Sequence, residues 1–426
     1  MRKGLLLAVF AATLWLAPGA LAAGWCGTGE TAVDRPDVIT GQQVHAVVAV
    51  PADGPDTFAT DANRLADDVT SMLTWWQGQD PTRVPRYDQA TFGAANCLDI
   101  SFVRLPEPSA AYAGVGASTA FSRVATDLAT AGLDNPYKKY LVYFDGPSVQ
   151  EDVCGTGAGD FADGPSYAVV WLQGCVGVPT DGIATHELLH AFGALPAGAP
   201  HACSAADGGA GHPCDSPTDV LYPFTNGAPL SSMVLDYGHD DYYAHSGTWI
   251  DIQDSLWLQR VDVPQVALTV SRAGAVAGEI RSDVPGVDCA AACTTLWNQG
   301  STVSLTASPS ATTRFVHWTG ACAGNGNCSL TLTQASSAVA VFGPLRIPLR
   351  LSVAGKGRIA CMPRCGKTAT AGNALIFRAL ATKGWKFKGW TGACKGKSAM
   401  CEPATDFALT TRAVFTHVRV AKKKKR

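Results

Sequence analysis

The sequence predicts a multidomain protein, in which an α/β domain of mixed helices and strands is followed by two small all-β repeat modules. The first observation is an internal repeat, in which Trp-Thr-Gly-Ala-Cys occurs at 318–322 and again at 390–394, and the second is a change of charge near position 262. Residues 24–262 contain 30 acidic and 9 basic side chains, whereas residues 263–426 contain 5 acidic and 22 basic ones. We therefore expect domains at 24–262, 263–343 and 344–416, and a basic tail at 417–426.

Residues 1–23 have the pattern of an export signal. A basic start at Arg2 and Lys3 precedes an apolar run, and Ala-Leu-Ala at 20–22 provides a small-residue cleavage site. The apolar run is shorter than the roughly 20 residues of a membrane span. All 14 cysteines follow this segment, and their even number favours disulfides. We expect a secreted monomer without a transmembrane segment, with association to the cell envelope left open.

The acidic domain combines helical and strand patterns. Asp61–Trp76 has apolar residues at helical spacing, which predicts an amphipathic helix. Leu141–Phe144 and Tyr167–Leu172 are apolar runs of strand length, which predicts one sheet. A net charge of −2 argues against a protein whose whole body binds nucleic acid.

The segment His186-Glu187-Leu188-Leu189-His190 predicts a metal site. Residues four apart lie on one face of a helix, so the imidazoles of His186 and His190 can bind one cation. Imidazole nitrogen is a natural zinc ligand, and Glu187 is adjacent to the first ligand, where it can hold a water molecule. Gly193 is expected to end this helix.

This segment resembles the active-site helix of secreted bacterial metzincin-type zinc metallopeptidases. In that pattern the third His follows three residues after the Gly, but Pro196 occupies this place and has no donor atom. His201 and His212 remain as candidates for the third zinc ligand. We favour His212, with residues 194–210 as an insertion and Cys203 and Cys214 as a disulfide that closes part of it.

The choice of His212 depends on Asp219–Pro223, which resembles the family's Met-turn. His212 lies nine residues before Leu221, and the third His of the family precedes its turn by about eight. His201 lies about twice as far upstream of Leu221 as His212 does. Leu221 stands where the family has Met, a packing residue of similar volume.

The resemblance implies a zincin fold (α/β, or α+β) for residues 24–262 and an endopeptidase activity. Zinc would activate a water molecule, and Glu187 would take its proton and pass it to the leaving amine. The polypeptide substrate would lie along the edge strand of the sheet, which we place at Tyr167–Gly174. The alternative is a degenerate zincin that acts as a secreted surface-binding or envelope-binding protein. The missing Met and the displaced third ligand favour this alternative, whereas the intact Glu187 favours the enzyme.

The segment 236–243 leaves two further roles open. Asp236, Asp240 and Asp241 suggest calcium, but their spacing matches no EF-hand loop, so we expect a solvated loop at the rim of the cleft. Tyr242 and Tyr243 remain candidates for stabilising an oxyanion. Cys26, Cys97, Cys154 and Cys175 can pair in three ways among themselves, and we favour the pairing that joins Cys154 to Cys175.

The C-terminal repeat rests on four matched positions. Each residue of the first unit recurs at a constant displacement in the second: Cys289, Cys293, Trp318 and Cys322 as Cys361, Cys365, Trp390 and Cys394. Proximity in the chain suggests four local disulfides: Cys289–Cys293, Cys322–Cys328, Cys361–Cys365 and Cys394–Cys401. The units resemble internalin-type B-repeats, which implies β-grasp-like accessory modules without catalysis. We expect the two Trp side chains in the core, with a ligand-binding role as the alternative.

Most of the positive charge belongs to the second unit and the tail. Residues 344–426 contain 19 Lys and Arg against Glu402 and Asp406. This density favours an anionic partner, and we expect a cell-envelope polymer or acidic matrix, with extracellular nucleic acid left open.

Overall fold

In the computed structural model of the protein, the described residues are 24–27, 29–159, 164–194, 198–204, 209–224, 227–274, 278–289 and 292–418. The predicted export signal at 1–23 and the part of the predicted basic tail at 419–426 lie outside these ranges. Within the ranges, no helix is long and apolar enough to cross a membrane.

The acidic domain, 24–262, contains nine strands and three α-helices within the described ranges. The strands are β1 (Gln43–Val50), β2 (Arg83–Pro85), β3 (Gln89–Phe92), β4 (Ala95–Leu98), β5 (Ile100–Arg104), β6 (Lys138–Phe144), β7 (Gly155–Ala158), β8 (Ser166–Trp171) and β9 (Leu258–Arg260). The helices are α1 (Phe58–Gln79), α2 (Ala117–Thr130) and α3 (Thr180–Ala191).

Five of these strands form the central sheet in the order β5-β1-β6-β8-β7. The first four are parallel to one another, and β7 is antiparallel to β8 at the edge. Alternate residues of β1 belong to two different cores, one shared with α1 and α3 and the other with α2. Because helices cover both faces, every residue of β1, β6 and β8 is buried, as is usual for parallel sheets.

The predicted elements fall within observed ones. The helix predicted at Asp61–Trp76 lies inside α1, which extends three residues further at each end. The two predicted strands correspond to β6 and β8. The assignment of the edge strand to Tyr167–Gly174 was wrong, because β7 pairs with β8 and takes the edge of the sheet.

The C-terminal region is all-β in its described residues. The first repeat contains β10 (Gln265–Ala273), β11 (Gly278–Ser282), β12 (Asp288–Cys289), β13 (Ala292–Asn298), β14 (Thr302–Pro309), β15 (Thr313–Gly320), β16 (Cys328–Thr331) and β17 (Ser336–Pro344). The second contains β18 (Arg346–Ala354), β19 (Gly357–Met362), β20 (Thr368–Thr370), β21 (Ile376–Ala381), β22 (Trp385–Gly392), β23 (Met400–Cys401) and β24 (Leu409–His417).

Each repeat packs two sheets around its own apolar core. The sheets are β13-β10-β17-β15 with β12-β11-β14-β16 in the first repeat, and β20-β18-β24-β22 with β19-β21-β23 in the second. Trp318 and Trp390 are 2% and 5% exposed, so both indoles belong to these cores. The β-grasp expectation differs from this architecture, since the described residues of each repeat include no helix.

Seven disulfides join all 14 cysteines of the chain. Six of them are the pairs expected above: Cys154–Cys175, Cys203–Cys214, Cys289–Cys293, Cys322–Cys328, Cys361–Cys365 and Cys394–Cys401. The seventh, Cys26–Cys97, attaches the N-terminal segment to β4. Small β modules bury little apolar area, so local cross-links contribute much of their stability.

Candidate metal centre

Helix α3 carries two of the three histidines of the site. His186 and His190 are one turn apart on α3, whose apolar side chains Leu188 and Leu189 are fully buried in the core beneath it. The helix ends as predicted at Gly193, which has a φ of +89°. The N–H of Gly193 donates to the carbonyl of His190 at 2.9 Å, and the N–H of Ala194 to that of Leu189 at 3.0 Å. This cap turns the chain towards the segment that carries His212.

His212 lies on a short hairpin that is closed by the Cys203–Cys214 disulfide. An isolated bridge between Ala202 and Pro213 pairs the two arms. The N–H of Cys203 donates to the carbonyl of His212 at 2.8 Å. The cross-link and these backbone contacts therefore fix the position from which the His212 imidazole reaches the helix.

The three imidazoles converge through their Nε2 atoms. The Nε2 atom of His190 lies 3.3 Å from that of His186 and 3.1 Å from that of His212, and the atoms of His186 and His212 are 3.1 Å apart. All three residues are half-buried, so the cluster is not sealed from the solvent. The structure thus brings together the three histidines that the sequence analysis favoured as ligands.

The opposite ring nitrogens of two histidines contact backbone carbonyls. Nδ1 of His186 lies 2.9 Å from the carbonyl oxygen of Val220, and Nδ1 of His212 lies 3.2 Å from that of Gly209. A carbonyl accepts only, so each Nδ1 is the protonated nitrogen and each Nε2 presents a lone pair. Burial and neighbouring imidazole lower the pKa of His186 to about 4, and burial lowers the pKa of His190 and of His212. The set is therefore neutral, as a metal site requires.

Glu187 is 7% exposed and lies against the edge strand β7. The backbone N–H of Gly157 donates to its carboxylate, and burial raises the pKa of Glu187 to about 8. A Cβ atom on Gly155 would overlap Oε1 of Glu187, and one on Gly157 would overlap the Glu187 carbonyl oxygen. A Cβ atom on Gly159 would overlap the carbonyl oxygen of Ala191 in the same way. These alternate glycines allow β7 to pass directly over α3.

The turn Asp219–Pro223 lies beneath the cluster. Leu221, which stands where the resemblance expects Met, is fully buried in the same core as Leu188. Its N–H donates to the Asp219 carboxylate at 2.7 Å. The adjacent carbonyl of Val220 is the group that contacts His186, so this turn supports the helix both by packing and by a hydrogen bond.

His201, the alternate third ligand, lies in a different cluster. Its N–H donates to the Asp241 carboxylate at 2.8 Å, and its Nδ1 lies 3.2 Å from the other oxygen of that carboxylate. Asp215 and Asp240 complete this group, in which Asp241 is buried. Since carboxylates already bind His201, the structure separates it from the three-histidine cluster.

The segment 236–243 is the solvated loop that we expected only in its middle, where Tyr237 is 50% exposed. Asp236 is 1% exposed and accepts the N–H groups of Asp241, Tyr242 and Tyr243, so its carboxylate organises the loop from inside. Both tyrosines are buried, and each hydroxyl donates to a carboxylate, Tyr242 to Asp219 and Tyr243 to Asp80. The suggested oxyanion role is therefore wrong.

Two functional features escaped the sequence analysis. The first is the glycine alternation at 155, 157 and 159, which has the period of a strand and marks close approach of another backbone. The second is Asp219, whose carboxylate accepts from Leu221, Tyr237 and Tyr242. Its sequence signal is weak, because Asp is common in surface turns.

Comparisons with known proteins give limited matches. No curated protein matches the chain. Crystal structures of wild-type OgpA from Akkermansia muciniphila are similar at 13–14% identity over 73–74% of this chain and 99% of that one, with TM-scores of 0.26 and 0.27. Catalytically inactive OgpA in complex with an O-glycopeptide substrate, glycodrosocin, gives 12% identity over 73% of this chain and 99% of that one, with a TM-score of 0.26.

The C-terminal region matches a protein family. The model of the divergent InlB B-repeat domain matches residues 286–344 and 347–418, which correspond to the two β-repeats. The resemblance seen in the cysteine and tryptophan spacing is thus supported by an independent match. The two β-repeats are thus similar, over these residues, to the divergent InlB B-repeat domain.

Proposed function

We propose that residues 24–262 form a zinc-dependent peptidase domain with His186, His190 and His212 as zinc ligands. The observation that carries this proposal is the separation of the three Nε2 atoms, 3.1–3.3 Å. Nitrogens about 2.0–2.1 Å from a tetrahedral zinc ion are about 3.3 Å apart. Three lone pairs that face one another at this distance repel unless a cation lies between them, so the residues fit Zn²⁺.

The number of ligands supports a catalytic rather than a structural zinc. Structural zinc sites are closed by four protein ligands, whereas catalytic sites have three and keep one place for a reactant. Among the residues that the structure describes, this cluster has three potential ligands and no fourth. Its three histidines are half-buried, so the cluster is not sealed from the solvent.

Glu187 is the residue that we assign to proton transfer. When bound, zinc lowers the pKa of a water molecule to about 7 and polarises a peptide carbonyl. Glu187 is adjacent to His186 in α3, and the N–H of Gly157 orients its carboxylate. It is placed to accept a proton from the attacking water and to return it to the leaving amine.

The free edge of β7 is the proposed binding site for the substrate. Among the described strands, β7 pairs with β8 on one side only. An extended polypeptide can add to such an edge by backbone hydrogen bonds. Since Gly155 and Gly157 contact Glu187, a chain bound there would pass beside the proposed base.

A zinc-binding protein without activity is the second candidate. Its sequence support was the displaced third ligand and the missing Met. In the structure, the hairpin brings His212 to the cluster, and Leu221 is fully buried at the place of the Met. Both observations favour a site that keeps the geometry of a catalytic centre. They therefore support the peptidase over the inactive zinc-binding protein.

Glu187→Gln separates the two candidates. The peptidase proposal predicts that this variant binds about one zinc per chain but releases no peptides from denatured casein, because Gln cannot accept the proton. Glu151→Gln, at an exposed position, is the matched control and should be as active as the wild type. Wild-type turnover in Glu187→Gln would overturn the mechanism. A zinc-loaded wild type without peptidase activity on any polypeptide would instead support the second candidate.

A further inference from the structure

The outer face of one sheet in the second repeat is strongly basic. We call it the basic face, and it consists of exposed side chains on β18, β22 and β24: Arg346, Arg350, Lys386, Lys388 and Arg412. The inner side of the same strands is apolar, since Leu409, Ala413 and Phe415 are buried in the core of the repeat. The two acidic residues of residues 344–426, Glu402 and Asp406, lie outside these strands.

Hydroxyl groups alternate with the cations on this face. Arg350 pairs with Thr410, and Arg412 pairs with Ser352 on one side and Thr391 on the other. All three partners are exposed. Cross-strand neighbours are roughly 5 Å apart and diagonal ones about 7–8 Å apart, so cations and hydroxyls are interleaved at short spacing.

The corresponding sheet of the first repeat keeps a cation at one of these positions, where Arg314 stands for Lys386, but lacks three others. The strand registers place Thr269 where the second repeat has Arg350, and Val339 where it has Arg412. Val316 lies in the same bulge as Lys388. The fold therefore does not require cations at these three positions, since valine and threonine occupy them in a homologous sheet.

We propose that the basic face binds an acidic polysaccharide. Guanidinium groups bind carboxylates in a bidentate manner, and the interleaved Thr and Ser hydroxyls match the hydroxyls of sugars. Single-stranded nucleic acid is bound through stacking on aromatic side chains. In the described strands of this sheet, Trp390 and Phe415 are buried in the inner core and Trp385 and Phe387 pack against it, which favours the polysaccharide. The inference does not depend on the proposed peptidase activity.

The test compares two charge-matched variants of the full chain. The face variant, Arg350→Thr/Lys388→Val/Arg412→Val, takes its residues from the first repeat. The control variant, Arg358→Thr/Arg364→Thr/Arg378→Thr, removes three exposed cations on and beside the other sheet of the same repeat. Binding of polygalacturonate is measured by affinity electrophoresis at several salt concentrations.

We expect the face variant to bind polygalacturonate at least about tenfold more weakly than the wild type. The slope of the logarithm of the binding constant against the logarithm of the salt concentration should become roughly 2–3 less steep, since three ion contacts are lost. The control variant should lose less than about threefold, because distant charges are screened. An equal loss of polygalacturonate affinity in the face variant and the control variant would overturn the proposal. A third variant that lacks residues 419–426 tests the basic tail, and a loss of affinity in that variant alone would also overturn the proposal. The proposal also fails if duplex DNA binding, rather than polygalacturonate binding, depends on the face.

Discussion

The Nδ1 atom of His186 lies 2.9 Å from the carbonyl oxygen of Val220, which connects α3 to the turn at Asp219–Pro223. This contact places the proton on Nδ1 and directs the lone pair of Nε2 to the other two histidines. The turn itself is held by Asp219, whose carboxylate accepts the N–H of Leu221 at 2.7 Å. The geometry of the cluster is thus set by a segment that is distant from α3 in the sequence.

The ligand set predicts different effects for two histidine substitutions. His212→Ala should weaken zinc binding by more than the roughly 10–100-fold that follows loss of an outer contact, because it removes a ligand. In His201→Ala the loss of zinc affinity should stay within that range, since Asp241 binds His201 away from the cluster. Competition with a chelator measures both affinities. Stronger loss in His201→Ala than in His212→Ala would contradict the assignment.

The disulfide at the His212 hairpin predicts a local effect on zinc affinity. Closing a loop with a cysteine separation of 11 is worth about 3 kcal/mol in the chain-entropy model. Cys203→Ser/Cys214→Ser should lower the melting temperature and weaken zinc binding about tenfold, because the hairpin no longer holds His212 in place. The control, Cys394→Ser/Cys401→Ser in the second repeat, should leave zinc affinity unchanged. Equal zinc affinity in all three proteins would show that the hairpin holds its position without the cross-link.

Close contact between β7 and α3 predicts opposite effects for two glycine substitutions. A Cβ atom at Gly157 would overlap the carbonyl oxygen of Glu187 and lie 2.8 Å from Cβ of His190, so strand and helix must separate. Gly157→Ala should therefore destabilise the protein by about 1–3 kcal/mol and reduce peptidase activity. Gly182→Ala lies on the same helix with nothing within 4 Å and should be neutral or stabilising by up to about 1 kcal/mol. Urea unfolding measures the stability of both variants. Similar free energies of unfolding for the two variants would contradict the close packing of β7 on α3.

A buried ion cluster predicts a pH-dependent stability defect. The ammonium of Lys138 is 1% exposed and donates at 2.6–2.8 Å to three carboxylates: Asp34, Asp37 and Asp88. Lys138→Met leaves these carboxylates without their cation and should cost about 3–5 kcal/mol at neutral pH. Burial raises the pKa of Asp37 from 3.8 to about 7 even in the wild type, and loss of the cation raises it further.

A folded-state pKa above that of the unfolded chain means that the folded protein binds protons more tightly. The stability of Lys138→Met should therefore rise as the pH falls, and its deficit should shrink as the pH falls towards about 7, where Asp37 takes up a proton in the wild type as well. Adding Asp37→Asn, which removes one buried charge, should recover part of the stability at pH 8. A deficit that is constant with pH, and that Asp37→Asn does not change, would show that the cluster is not electrostatically coupled.

Periodic and local signals in the sequence predicted much of the fold. The helical spacing of Leu65, Val69 and Met72 predicted α1, and the apolar runs predicted β6 and β8. Cysteine proximity suggested the four disulfides of the repeats, and Cys154–Cys175 and Cys203–Cys214 were expected to close loops. Cys26–Cys97 joins distant parts of the chain and has no local signal. The edge strand was misplaced because β7 is short and rich in glycine, which gives no apolar alternation to recognise.

The candidate site also has parts that the sequence predicts and parts that only the structure reveals. His186 and His190 follow from helical geometry, and His212 from the resemblance of Asp219–Pro223 to the Met-turn of a known family. The contacts that orient these ligands were out of reach, since the Val220 carbonyl belongs to the backbone and any residue could supply it. The burial of Asp236 was missed for a related reason: acidic residues in a polar segment suggest solvent exposure, and its compensation by three backbone N–H groups is visible only in the fold.

His186, His190 and His212 are expected to bind one zinc ion together. X-ray absorption spectroscopy of the full-chain protein, loaded with one equivalent of Zn²⁺, measures the ligands directly. We predict three imidazole nitrogens at about 2.0–2.1 Å and one further light atom, with one imidazole fewer in His212→Ala. His317→Ala, a change at an exposed histidine of the first repeat, should give the wild-type spectrum. Fewer than three imidazoles in the wild-type protein, or a spectrum that His212→Ala does not alter, would contradict the account.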